Sequence, residues 1–341
     1  MGGSHMWRLN LLTLNKRRIL ILTAIFFHVA FRVGTAQGQR VNVGYSAISG
    51  SMAWVWTAKE AGYFDHRGLR VDLVYIGGTV QLFQAMLAGE VTFGVGGGPA
   101  IIHANLQRRS LVGVAGTMNR MVMKIMGVPQ IKRPADLRGK KIAVTRYGTV
   151  TDFSARMFLN KWGLSPEKDT PILQVGSIPN VLASLQSGTS QAGALSPPAH
   201  LQAEKLGFSE LMDLSKEEIY YPYTYVVAST EVLERNSKSV TPFLEASIRG
   251  IYRFKTDKPM AKRVLVKYLG IKDESILEET HELFSRLFEK VPYINREGLT
   301  NLVQILAEKE PKLAAARIDS FVENRFVREL EMNGFISNLY R

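Results

Sequence analysis

Apolar and polar residues alternate over Val41–Ser46 (VNVGYS), which predicts a strand. The loop Ala47-Ile48-Ser49-Gly50-Ser51 follows, and helical spacing of apolar residues then runs from about Met52 to Gly62. Ser49 or Ser51 is suited to cap that helix, and Gly62 to close it. The stretch from Arg70 to Gly98 is the most informative: a strand, a Gly77-Gly78-Thr79 turn, an amphipathic helix and a second strand ending in Gly96-Gly97-Gly98. Two strands joined through a helix predict a parallel sheet, whose ligands sit beyond the carboxyl ends of the strands. Pro99 opens another helix, and Leu111–Gly116 is a short apolar strand.

Near Thr117 the pattern starts again. Strands are predicted at Lys124–Val128, Lys140–Arg146, Leu173–Gly176 and Gln191–Leu195, with helices over about Val150–Trp162 and Ile178–Gln186. Ser196-Pro197-Pro198 opens a further helix, and Pro222–Ser229 is an aromatic, β-branched strand that crosses back. From Leu233 onward the spacing is almost wholly helical, with Pro242, Pro259 and Pro311 near helix starts. The expected fold is α/β and two-lobed, each lobe a mostly parallel sheet flanked by helices, with a helical C-terminal part. Lobe 1 comprises residues 40–117 and 226–341, and lobe 2 is the inserted segment 118–225. Hinges fall near 117 and 225, and the cleft lies between the lobes.

The first 37 residues read differently. Residues 1–5 look like a vector remnant, and residues 6–36 follow the order of a secretory signal. A basic Lys16-Arg17-Arg18 cluster precedes an apolar run from Ile19 to Ala30, and Gly34-Thr35-Ala36 supplies small residues for cleavage. That run is short for a membrane span. The chain has no cysteine, which excludes a lipid-anchoring cysteine, disulfides and thiolate catalysis. A periplasmic location in a Gram-negative-type cell is therefore expected. The formal net charge is +13, and about +8 once Arg8, Lys16, Arg17, Arg18 and Arg32 are removed with the leader. Export makes a nucleic-acid partner remote, so the excess reads as a field attracting anionic solutes or as an ordinary solvated surface.

Five loops are expected to face the cleft. Ser49 and Ser51 offer hydroxyls at a helix start, and Trp54 an indole for stacking unless it belongs to the core. Gly78 and Thr79 form the second loop, and Gly97 and Gly98 the third, where the backbone can approach a ligand closely. The fourth, Arg146-Tyr147-Gly148-Thr149, joins a guanidinium to a helix start capped by Thr149. The fifth holds Ser196 and Pro197, with Tyr223 on the crossing strand beside Tyr221 and Tyr225, which should share its face. Met118, Met121, Met123 and Met126 form a methionine-rich patch that reads as core or hinge filling. His66, His103, His200 and His281 are scattered, with no carboxylate at ligand spacing, so neither metal nor cofactor is expected.

Ala58-Lys59-Glu60-Ala61-Gly62-Tyr63-Phe64 followed by Gly68-Leu69-Arg70-Val71-Asp72-Leu73 resembles a signature of the nitrate/sulfonate/taurine branch of ABC-transporter substrate-binding proteins. Ala88-Gly89-Glu90, Asp136–Val144, Ser184–Gly193, and Arg328–Glu331 with Gly334-Phe335 extend the likeness over most of the chain. The resemblance implies a type II periplasmic-binding fold, solute capture by lobe closure and delivery to a permease of the inner membrane. The solute expected is a small organic anion such as a sulfonate or carboxylate, aromatic ones included, bound by a monomer. The alternative is an enzyme of this fold, akin to thiamine-pyrimidine synthases or desulfinases. Those relatives depend on cysteine, which this chain lacks.

Overall fold

The computed structural model describes residues 38–341, apart from 109, 218, 219 and 309. The vector remnant and the export signal read from residues 1–36 lie outside the described residues. Among the described residues no helix is long and apolar enough to cross a membrane.

Among the described residues ten strands form two five-stranded sheets. The first contains β1 (Gln39–Tyr45), β2 (Leu69–Tyr75), β3 (Phe93–Gly96), β4 (Leu111–Arg120) and β10 (Tyr220–Ser229), in the order β2-β1-β3-β10-β4. The second contains β5 (Lys124–Gly127), β6 (Ile142–Val144), β7 (Ile172–Gln174), β8 (Ala192–Leu195) and β9 (Ser209–Asp213), in the order β7-β6-β8-β5-β9. Strand β9 escaped the sequence reading because only Met212 among its residues is buried.

Both sheets are mixed rather than mostly parallel. β1 pairs with β3, and β6 with β7 and β8, in parallel. β10 runs antiparallel to β3 and β4, and β5 antiparallel to β8 and β9. The reason is topological. The chain passes once into the second sheet and once back, and the strand entering each sheet on that passage runs against its strand–helix–strand units. Strands β4 and β10 also extend past positions 117 and 225, to Arg120 and Tyr220, where they pair with each other.

The helices that position the site start at strand ends: α1 (Ala53–Glu60, after a 3-10 turn Gly50–Met52), α2 (Thr79–Leu87), α3 (Ala100–Arg108), α4 (Val150–Lys161), α5 (Ile178–Gln186) and α6 (Ala199–Lys205). In α2 the buried positions Leu82, Phe83 and Met86 make one stripe, as a helix covering a sheet requires. The remaining helices are α7 (Thr230–Arg235), α8 (Val240–Thr256), α9 (Lys258–Leu269), α10 (Glu274–Leu287), α11 (Arg296–Ala307), α12 (Arg325–Met332) and α13 (Phe335–Leu339). Helix α8 anchors the first core: Phe243 stacks between Phe64 and Phe93, at ring separations of 5.3 and 4.2 Å.

His200, buried on α6, carries a pH signature. Burial, with the nearby Lys124 charge, holds its pKa down at about 4, against the opposing pull of Asp213 and Glu210. Glu204 lies 3.7 Å from its Nδ1 and does not offset that burial. An unfolded chain binds the proton near pH 6.5, so the folded state loses stability as pH falls from 6.5 to about 4. Urea unfolding across that window should show a decline on the order of 3 kcal/mol from this group. His200→Gln should flatten most of it, and an unchanged slope would contradict the assignment.

Candidate functional site

A cavity of about 50 Å³ lies where loops of the two sheets meet, with room for about four water-sized bodies. From the first sheet it is lined by Ser46, Ala47, Ser49, Ser51, Met52, Tyr75, Gly78, Thr79, Gly97, Tyr223 and Thr224. From the second come Thr145, Thr149, Val150, Thr151, Ser177, Ile178 and Ser196, with Met123 from the link between β4 and β5. Ten of these side chains carry an aliphatic hydroxyl, and two a phenol. None of the lining side chains is charged.

Most of these hydroxyls sit at the start of a helix or turn, while Thr224 lies within β10. Ser49 precedes the 3-10 turn in extended conformation, and its Oγ donates to the Pro197 carbonyl at 3.1 Å while accepting from Ser196 Oγ at 2.9 Å. Gly50 N donates to the same carbonyl at 3.2 Å, so this turn is tied to the loop after β8. Thr79 is the first residue of α2 rather than its cap; Gly78 holds the cap position, with φ at +93°. Thr79 Oγ1 accepts instead from Gly97 N at 3.4 Å.

On the opposite side, Thr145, Thr149 and Thr151 form a triangle of hydroxyls 2.8 to 3.1 Å apart. Thr149 takes the cap position of α4, yet its hydroxyl donates to the Arg146 carbonyl at 2.7 Å rather than capping the helix. Thr151 Oγ1 accepts from Thr145 N at 3.0 Å. Ser177 caps α5 by accepting from Asn180 N at 3.3 Å. Helices α2, α4 and α5 therefore all begin at the cavity, and the opening N–H groups of a helix have no partner within it.

Of the expected residues, the structure gathers Ser49, Ser51, Gly78, Thr79, Gly97, Thr149, Ser196 and Tyr223 around this cavity. Five others lie off its wall. Trp54 is fully buried in the core, where Gly250 of α8 packs against its carbonyl. Tyr147 is 48% exposed and points outward, its hydroxyl on the Ile172 carbonyl and Arg156 above its ring. Arg146 spans the two sheets instead, its Nε donating to the Gly77 carbonyl at 3.0 Å. Its charge and a hydrogen bond with Ser177 oppose the upward push of burial on the Tyr75 phenol. Pro197 contributes only the carbonyl that binds Ser49 and Gly50.

Gly97 lines the cavity and Gly98 does not, and both are held close by the protein's own chain. A Cβ on Gly97 would sit 1.6 Å from the Tyr223 carbonyl oxygen, and one on Gly98 would meet the Tyr221 hydroxyl and Val150. The missing side chains of both glycines make room for the protein's own backbone and side chains. The three tyrosines of β10 do not share a fate either. Register shifts around Thr224 break the alternation, so Tyr223 faces the cavity, Tyr225 donates to the Gly98 carbonyl at 2.7 Å, and Tyr221 is buried without a partner for its hydroxyl. The sequence reading missed Ser177, Thr145 and Thr151, although each follows the strand-end logic applied to the other loops.

Two substitutions test this packing. Gly97→Ala should fail to reach the native fold or melt far lower, because backbone must move. Thr151→Val should cost about 1–3 kcal/mol in urea unfolding, since it orphans the buried Thr145 N–H. Parent-like stability of either variant would contradict the geometry.

Comparison with known proteins follows the same lines. A Brucella abortus protein provisionally named as a binding protein is 24% identical over 294 residues, spanning 84% of this chain and 89% of its own length. The alkanesulfonate-binding protein SsuA from Xanthomonas axonopodis pv. citri, solved with MOPS bound, overlays with a TM-score of 0.68 at 18% identity, covering 84% of this chain and 98% of its own. The nitrate-binding protein NrtA from Synechocystis PCC 6803 gives 0.68 at 14% identity, covering 87% and 89%. A point mutant of DszB in complex with biphenyl-2-sulfinic acid shares the fold too, at 0.63 and 14% identity, covering 87% and 99%. The family model described as NMT1/THI5 like matches residues 50–261, well over half of the sequence. The resemblance read from the residues holds: this chain belongs to the NMT1/THI5-like family and has its periplasmic-binding-protein fold.

Proposed function

We propose that this chain is the periplasmic solute-binding component of an ABC importer, exported with residues 6–36 removed, free of a lipid anchor and acting as a monomer. It captures a small anion between two lobes, built around the first and second sheets, and hands it to a permease in the inner membrane. The observation that carries this reading is the meeting of α2, α4 and α5 N-termini at one hydroxyl-lined cavity. Each helix start presents partial positive charge; α2 and α4 add their opening N–H groups, while at α5 Pro179 has no N–H and Asn180 N is bound by Ser177, so together they can hold an anion without a cationic side chain. The lining has no carboxylate to repel one.

The cavity's volume favours a compact headgroup, and Met52, Met123, Val150 and Ile178 leave apolar wall for a short substituent. The names of the Xanthomonas and Synechocystis proteins support a sulfonate or a similarly small oxyanion. The likeness to DszB keeps an enzyme as the second reading, although this sequence contains no cysteine.

A thermal-shift screen of nitrate, short alkanesulfonates, carboxylates and neutral heterocycles tests the proposal. A matching anion at 100 times its Kd should stabilise the fold by about 2.7 kcal/mol. Mass analysis should return it unchanged. A midpoint raised only by neutral or cationic compounds would contradict the anion, and a converted compound would favour the enzyme.

A further inference from the structure

The cavity draws on residues that follow β6, β7 and β8, so the residues that precede these three strands gather at the opposite end of the second sheet. Two loops make most of that end: residues 132–141 lead into β6, and residues 165–171 lead into β7. They are pinned to each other. Gly139 N donates to the Asp169 carbonyl at 2.7 Å, Thr170 Oγ1 donates to the Leu137 carbonyl at 2.9 Å, and Arg138 pairs with the Asp169 carboxylate. Lys141 N donates to the Gln191 side chain, just before β8, at 3.2 Å.

Six cations stand exposed on these loops: Lys132, Arg133, Arg138, Lys140, Lys141 and Lys168. The three carboxylates of the same loops are already committed. Asp136 accepts from Lys132 N at 3.0 Å and Arg133 N at 3.1 Å, Asp169 from Ser165 N at 2.9 Å, and Glu167 from Ser165 Oγ at 3.0 Å. Among the described residues the ammonium groups of Lys132, Lys140, Lys141 and Lys168 meet no carboxylate. Trp162 adds an apolar group to the same end. It follows α4 directly and stands three residues before Ser165, with 51% of its surface exposed, whereas Trp54 and Trp56 are fully buried. Helix α4 starts at the cavity and is 12 residues long, so it sets Trp162 about 18 Å away from the site.

We propose that this end of the second lobe is a docking face for an anionic phospholipid bilayer. Charge complementarity and the exposed indole carry the choice. Unpaired ammonium groups on one surface are drawn to anionic headgroups, and a tryptophan ring settles at the depth of those headgroups. A duplex nucleic acid would answer the charge and leave Trp162 unused. Each contact is weak and screened by salt, so the face holds the protein near a membrane reversibly, without a lipid anchor and without inserting it. The inference does not depend on which solute the cavity takes, since the docking face and the cavity lie at opposite ends of the sheet.

Sedimentation of the mature chain with lipid vesicles tests this; the leader, with its own basic cluster and apolar run, must be absent. At low salt the chain should bind vesicles of phosphatidylcholine mixed with phosphatidylglycerol, ignore pure phosphatidylcholine, and come off as salt rises. Lys140→Gln with Lys141→Gln should weaken binding by about fivefold per lysine, and Lys132→Gln with Lys168→Gln by the same factor. Lys238→Gln with Lys272→Gln, an equal change of charge at exposed positions on the first-sheet side, should leave binding alone. Docking should also shield Trp162 from acrylamide quenching, and Trp162→Ala should weaken it while circular dichroism stays native. Failure to bind the anionic vesicles, an equal loss from the Lys238 and Lys272 pair, or a DNA duplex bound as tightly as the vesicles would overturn the proposal.

Discussion

Three helix starts of like partial charge, brought to one small cavity, are the constraint on which the rest of this structure depends. Each carries roughly half a positive charge at its N-terminus, so their approach is unfavourable until something compensates. The protein supplies part of that compensation in polar bonds across the two sheets: Ser49 on the Pro197 carbonyl, Arg146 on the Gly77 carbonyl, and Lys205 on Asp273. The remainder is what an anion would bring. At α4 part of the positive charge is met by Asp152, buried in the first turn, whose carboxylate accepts from Gly148 N and pairs with Arg156 at 2.9 Å.

The same logic explains why the lining is so rich in serine and threonine. A hydroxyl donates and accepts, so it can satisfy its neighbours when the cavity is empty and turn to a solute when it is filled. The Thr145–Thr149–Thr151 triangle is the clearest case: three hydroxyls within 3.1 Å of one another share fewer protons than they have contacts. Aromatic residues have another role. Trp56 stacks on Tyr268 at 4.8 Å and meets Tyr45 edge-on, forming a rigid wall behind β1 on which the first loop is mounted.

Strand ends and helix starts are legible from sequence because turn residues and hydrophobic period mark them locally, and that brought eight of the expected residues to the cavity wall. What failed depended on distant chain. Trp54 belongs to the core because a glycine of α8, far along the chain, admits its carbonyl. Gly98 reads as part of a ligand cradle, yet it lies off the wall and its missing side chain makes room for Tyr221 and Val150. Tyr221, Tyr223 and Tyr225 lost their shared face to register shifts that no local pattern announces. Ser177 could have been found, since it opens a helix at the end of β7 as Thr149 does after β6.

The central claim is that backbone N–H groups at helix starts, with neighbouring hydroxyls, grip an anion between the two sheets. A crystal structure of the mature chain with the compound that most raises its melting midpoint tests this directly. The account predicts density for the anionic group at the starts of α2, α4 and α5, its oxygens within hydrogen-bonding distance of Thr79, Thr149 or Ser177. Density lodged elsewhere, or an anionic group neutralised by a lysine or arginine side chain with these helix starts unengaged, would contradict it.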